Sequence, residues 1–273
     1  GVLSYGNALT AQYFGRKQFD KCSRVVTQGL LLTLFFAPLL VAIGYLSLGS
    51  FEFMGHAPEQ VVLAQQYFII LIWGASFSLA KTCIASYFSG IGRTHIVMIA
   101  DTVGVAINIP LTWALIFGYG EVPALGIAGA AYATIISSLI SLLVFCYFYL
   151  ETHHATSFMV KQSLRLDRGI LRRFVRLGFP SGVEMFLNVA AFNLFLLMFQ
   201  SYGIAESASA AIVFNWDIVS YVPMIGLNVA IISLIGRYIG AGDTTLMNQV
   251  IRISFTLGLG YTSIVALLFF LGR

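Results

Sequence analysis

The chain has 273 residues, 59% of them hydrophobic and 10% charged, with a formal net charge of +4 and a mean hydropathy of +0.89. A soluble domain of this length cannot be built from that composition, so the expected fold class is all-α: a polytopic transmembrane helical bundle. A net positive charge can signal nucleic acid or acidic lipid, but here the basic residues are topology signals in short connections with no aromatic interleaving, which excludes a nucleic-acid partner.

The chain begins at Gly1 with no methionine, and Gly1 to Phe14 reads as the second half of an apolar helix. That reading predicts a fragment of a longer protein. A basic segment with Arg16, Lys17, Lys21 and Arg24 precedes a predicted helix from Val25 to Leu48. The next connection holds Glu52, His56 and Glu59, followed by a helix from Val61 to Ser89 and the turn Gly90-Ile-Gly-Arg-Thr94. A helix ending near Tyr119 leads through Glu121 and Pro123-Ala-Leu-Gly-Ile-Ala-Gly to another that ends near Tyr149. Glu151 to Arg176 is the longest polar segment, and Arg168 to Leu177 within it is expected to be a short amphipathic interfacial helix. Predicted helices at Gly178 to Gln200, Glu206 to Ile239 and Thr245 to Leu271 complete the chain. Each apolar run reaches the roughly 20 residues that cross about 30 Å of hydrocarbon.

Of the 15 Lys and Arg, thirteen fall in or beside the first, third, fifth and seventh connections, with Arg237 and Arg252 in the predicted helices that flank the last. An excess of positive charge marks cytoplasmic loops, so those connections are expected inside and the loops of Glu52, Glu121 and Glu206 outside, as in a multi-pass protein of the cell (cytoplasmic or inner) membrane. The cysteines Cys22, Cys83 and Cys146 have no paired spacing, so neither a disulfide framework nor a metal site is expected.

Sliding the chain so that Gly1 meets Gly226 also aligns Leu9 with Leu234, Tyr13 with Tyr238, Gly15 with Gly240 and Val25 with Val250. The glycine and tyrosine matches fall at the cytoplasmic end of a helix in each copy, and an even number of crossings separates them. That pattern predicts a parallel repeat, with two lobes related by an axis along the membrane normal.

Several segments resemble the multidrug and toxic compound extrusion (MATE) transporters. They are Tyr238-Ile-Gly-Ala-Gly-Asp243 with its echo Tyr13-Phe-Gly-Arg-Lys, Asn108-Ile-Pro-Leu, Pro123 to Thr134, and Leu177-Gly-Phe-Pro-Ser181. The resemblance implies twelve helices in two six-helix lobes and alternating access. It also implies export of amphipathic or cationic compounds coupled to entry of H+ or Na+, with no other cofactor and a monomeric state. On it, residues 1-150 are the first lobe without its first helix, 151-177 a cytoplasmic linker with the amphipathic helix, and 178-273 the first three helices of the second lobe.

Intramembrane acids are expensive and mark ion or substrate pathways. Glu184, about 9 Å into the helix predicted from Gly178, is the first candidate for ion coupling, with an interface-facing acid near Arg176 as the other reading. Asp217 is the second, against a structural hydrogen bond to a neighbouring helix. The resemblance adds Asn188, where a well-studied branch of the family carries its coupling glutamate, and Asn108, matched in the fifth family helix although the acid that follows it there is Thr112 here. Asn193, Asn215, Phe192, Trp216 and Tyr221 are candidate substrate contacts, as are Phe195 and Phe214, while asparagines in spans also serve as interhelical glue. Lys81 either balances one of the two acids Glu184 and Asp217 across a cavity or snorkels to the cytoplasmic face, and Asp101, two turns after Arg93, is expected to be a local ion-pair partner, with a transport residue as the other reading. The pair His153 and His154 sits at a loop edge without an acidic or cysteine constellation, so no enzyme is expected. The alternative function is a flippase of lipid-linked oligosaccharides or lipids from a related two-lobed superfamily, which would line its cavity with arginines; none is expected within a span.

Overall fold

The computed structural model describes residues 1–49, 51, 58–120 and 123–271. Nine α-helices follow in order among them: α1 Gly6–Gly15, α2 Phe19–Leu46, α3 Pro58–Gly90, α4 Thr94–Phe117, α5 Ile127–Leu150, α6 Thr152–Ser157, α7 Arg168–Tyr202, α8 Ile204–Ala241 and α9 Thr244–Leu271. Seven of these are long and apolar enough to cross a membrane. The shortest of the seven, with 24 residues, spans about 36 Å at 1.5 Å per residue. The predicted helices are therefore present, with ends shifted by a few residues. Glu52, His56 and Glu121 lie outside the described residues.

Residues 168–177 differ from expectation. They do not form a separate interfacial helix but open a single helix that continues through Pro180 to Tyr202. Asp167 starts it by accepting the amides of Gly169 at 3.0 Å and Ile170 at 3.1 Å, which satisfies two donors that a helix N-terminus leaves open. The segment keeps its amphipathic pattern, with Ile170 and Phe174 buried and Arg172, Arg173 and Arg176 exposed. Pro180 stops nothing because a proline removes one backbone bond, and three further spans also carry an internal proline, Pro38, Pro110 and Pro223. The basic residues expected in or beside connections are in part helical: Arg24, Arg237 and Arg252 belong to α2, α8 and α9, towards the ends of these helices.

Segments that the slide aligns share local backbone geometry. The slide that carries Gly1 onto Gly226 carries Phe19–Leu46 onto Thr244–Leu271, two helices of 28 residues each. At the end of α1 the amide of Gln18 donates to the Tyr13 carbonyl at 3.0 Å and that of Lys17 to Phe14 at 2.9 Å. At the end of α8 the matching bonds run from Asp243 to Tyr238 at 3.0 Å and from Gly242 to Ile239 at 3.2 Å. The end of α3 repeats the scheme, from Arg93 to Phe88 at 2.9 Å and from Gly92 to Ser89 at 3.0 Å. Each is a helix stop with one left-handed residue: Lys17 at φ 58°, Gly242 at 77° and Gly92 at 75°.

By packing, the chain forms two compact units, Gly1–Gln18 with Ser89–Gly92 and Arg172–Arg273, and Phe19–Phe88 with Arg93–Leu171. This division follows contacts and differs from the boundaries expected from the sequence at residues 150 and 178. In the first unit α1 lies along α8, where a Cβ on Gly240 would collide with the Gln12 carbonyl and one on Gly15 with that of Arg237. The Arg237 guanidinium donates through Nε to the Gly90 carbonyl at 3.2 Å and through Nη2 to Ser233 Oγ at 2.9 Å, and Ser233 donates to the Ser89 carbonyl at 2.7 Å. In the second unit the buried face of α2, with Cys22, Val25, Val26 and Gly29, is tied to the polar segment after α5. Ser23 Oγ donates to the Phe158 carbonyl at 2.9 Å and Gln28 Nε2 to that of Arg165 at 2.8 Å.

Candidate functional site

Within the second unit, α3, α4 and α5 enclose a polar cavity of about 240 Å³ lined by Lys81, Asp101, Asn108, Thr134, Ser137, Ser138 and Ser141, with Gly104 and Val105. Lys81 Nζ donates to Asp101 Oδ1 at 3.1 Å, and Ser141 Oγ approaches the same oxygen at 3.5 Å. Higher in the cavity Asn108 Nδ2 donates to Ser137 Oγ at 3.1 Å, Ser137 donates to the Thr134 carbonyl at 3.0 Å, and Ser78 donates to Ser138 at 3.4 Å. Counted from the turn that joins α3 to α4, Asp101 and Lys81 lie about 10 and 13 Å along their helices and Asn108 about 21 Å. The polar track therefore runs through the middle of spans whose other faces are apolar. The side chains of Lys81 and Asp101 are 29% and 46% exposed, so the pair faces open space.

This settles two sequence readings. Lys81 pairs with Asp101, an acid other than the two expected for it, and Asp101 is an ion-pair partner as expected, though of Lys81 and not of Arg93. Arg93 Nη1 instead lies 3.3 Å from His154 Nδ1, and His154 Nε2 lies 2.9 Å from Tyr87 Oη. His154 is not at a loop edge; it is 1% exposed, stacked on Phe158 at 4.6 Å between ring centroids. Sequence reasoning missed this centre because α6 looked like loop; the signal available was the aromatic set Tyr87, Phe88, Tyr149 and Phe158 around it.

Within the first unit, α7 and α8 carry the remaining candidates. With α7 starting at Arg168, Glu184 lies about 24 Å from its first residue and about 27 Å from its last, near the middle of the helix rather than about 9 Å from its start. Glu184, Asn188 and Phe192 follow one another at four-residue spacing and share a face. Phe192, Phe195 and Phe199 on that face each meet Phe214 of α8, at centroid distances of 5.4, 5.6 and 5.9 Å. On α8, Asp217 and Tyr221 are three and seven residues from Phe214 and lie on its side of the helix. The structure thus brings Glu184, Asn188, Phe192, Asp217 and Tyr221 onto the facing stripes of two consecutive helices, all exposed. It does not place the others there. Asn193 and Asn215 turn their amides to their own helices, donating to Val189 at 2.8 Å and Ala211 at 2.7 Å, and Trp216 is about 200° round the helix from Phe214 by the 3.6-residue turn.

Seven spans long and apolar enough to cross a bilayer, with an ion pair and a polar track among them, define a multi-pass helical membrane protein. The MatE family model matches residues 2–114 and 180–273. The probable multidrug resistance protein YoeA of Bacillus subtilis (strain 168) is 29% identical over 263 residues, 94% of this chain and 56% of that protein. The multidrug resistance protein MdtK of Cronobacter sakazakii is 26% identical over 252 residues, 89% of this chain and 54% of its own. Among solved structures, a MOP superfamily transporter from Pyrococcus furiosus superposes with a TM-score of 0.87 at 22% identity, over 98% of this chain and 59% of that one. An outward-facing multidrug resistance MATE family transporter does so with 0.82 at 22%, over 98% and 60%. The chain belongs to the MatE family. It spans a little over half the length of the curated relatives it matches, 56% for the first.

Proposed function

We propose that the protein is a secondary active efflux transporter, an antiporter that expels amphipathic organic cations in exchange for H+ or Na+ entry by alternating access between two lobes. The observation that carries this is the position of Glu184, an acid two turns past the basic opening of α7 and within its apolar run, with Asn188 and Phe192 on the same face. A carboxylate there is costly unless its charge is used, and a flat cation finds both a counter-charge and aromatic faces, Phe192, Phe214 and Tyr221, on the adjoining stripe. Asp217 adds a second acid, about two helical turns from the level of Glu184. The relatives named above are called multidrug resistance proteins, which supports the same reading. The polar cavity of α3 to α5 holds one lysine and one aspartate and no arginine, which does not favour a flippase of lipid-linked sugars. Cells making the protein should expel ethidium, and collapse of both the proton and the sodium gradients should stop the efflux. Efflux that persists on ATP alone contradicts antiport.

A further inference from the structure

The basic opening of α7 carries a face that the antiporter reading does not use. At about 100° per residue, Arg172, Arg176, Phe179, Val183 and Phe186 fall within an arc of roughly 80°, and all five are exposed. Phe174, on the opposite side of the same turns, is fully buried, so the two arginines turn outward. The stripe of Glu184, Asn188 and Phe192 lies about 160° round the helix from this face, centre to centre. Among the described residues neither Arg172 nor Arg176 belongs to an ion pair. Arg173 is held differently: its Nη1 donates to Tyr13 Oη at 3.3 Å, and its guanidinium stands 5.9 Å from the centre of that ring. This contact brings the exposed Arg16 and Lys17, three and four residues past Tyr13, to the same end of the unit.

We propose that this face of α7 seats an anionic phospholipid, with its phosphate on Arg172 and Arg176 and an acyl chain along Phe179, Val183 and Phe186. A guanidinium presents paired donors that match the oxygens of a phosphate. The two arginines are one helical turn apart, about 6 Å of rise, a spacing that lets both forks meet one phosphate. From Arg176 to Phe186 the face runs about 15 Å, the depth of one leaflet in a hydrocarbon core about 30 Å thick. Charge at one end and a leaflet's depth of exposed apolar surface at the other match a lipid. A free phosphate compound would use the arginines and leave the phenylalanines bare. Arg16 and Lys17 add to the positive potential that draws anionic headgroups to this end. The proposal goes beyond efflux and needs only that α7 lies in the membrane.

The test uses the full-length protein that carries this chain, purified in detergent and loaded with phosphatidylglycerol or phosphatidylcholine. Native mass spectrometry should show phosphatidylglycerol retained at least fivefold over phosphatidylcholine. Arg172→Gln combined with Arg176→Gln should lower that retention at least fivefold and leave phosphatidylcholine within twofold of wild type. Arg172→Lys with Arg176→Lys keeps the charge and should retain part of the preference. Phosphatidylglycerol with a photoreactive diazirine on its acyl chain should crosslink to residues 179–186. An unchanged preference in the double Gln variant, or displacement of the lipid by millimolar inorganic phosphate, overturns the proposal. Crosslinks that miss residues 179–186 overturn it as well, because another part of the protein then covers this face. Should the Gln variant not purify, the crosslinks of the wild type decide. Efflux is not measured in any arm, so failure here leaves the antiporter reading standing.

Discussion

At the scale of single residues, the buried histidine shows how a polar side chain enters a core. An arginine can only donate, so Arg93 at Nδ1 requires that nitrogen to accept, which leaves Nε2 to donate to the Tyr87 hydroxyl. Both ring nitrogens are then satisfied in a site where an open one would be costly. Tyr87→Phe keeps the ring contacts and removes the acceptor, and should lower stability by about 1–3 kcal/mol. The thermal midpoint in detergent measures this, and an unchanged midpoint would mean that the hydroxyl is not the partner that matters. None of this was legible in the sequence. His154 follows His153 in a polar segment, and the only cue was aromatic residues far apart along the chain. Pairing of Lys81 with Asp101 was equally hidden, since sequence proximity favoured Arg93 and only the packing of α3 against α4 decides between them.

At the scale of elements, hydropathy and turn residues predicted the seven spans, because a span is a local property of about 20 apolar residues. Pro180 and its flanking glycines were misleading. They read as a break, yet the helix from Arg168 passes through them, since Asp167 supplies the start signal thirteen residues before Pro180. The three matched helix stops were only partly visible. Tyr13-Phe-Gly and Tyr238-Ile-Gly stand out on sliding the chain, while Phe88-Ser-Gly belongs to the same scheme by its hydrogen bonds. They give paired expectations. Lys17 holds a left-handed conformation, φ 58°, that costs a non-glycine residue about 1 kcal/mol, so Lys17→Gly should raise stability by roughly that amount. At the equivalent Gly242, φ 77°, substitution by Ala should lower it by about 1 kcal/mol. Thermal midpoints moving the same way for both variants would contradict the equivalence.

At the scale of the whole molecule, the one-sided charge distribution predicts orientation. Tyr119, 70% exposed between α4 and α5, should react as a cysteine with an impermeant reagent from outside, and Leu164, 76% exposed after α6, should not. Ser163 would be a poor choice for the inner position because it is 2% exposed and would stay silent on either side. Labelling of Leu164→Cys in sealed cells would reverse the orientation. The repeat and family could be read from sequence because glycine-bearing helix ends recur in order. The stripe shared by Glu184, Asn188 and Phe192 was legible from four-residue spacing alone, whereas the exclusion of Asn193, Asn215 and Trp216 from it required the aromatic contacts that fix how α7 faces α8. The central claim is that an acid in the middle of α7 carries a charge that changes during transport. Glutamine keeps the shape and hydrogen bonding of Glu184 and removes only its titration. The measurement is gradient-driven ethidium uptake into inside-out vesicles containing wild type or Glu184→Gln at matched protein levels. The account predicts at least a tenfold loss of uptake with normal membrane insertion, and wild-type uptake with an unchanged pH dependence would remove Glu184 from the mechanism.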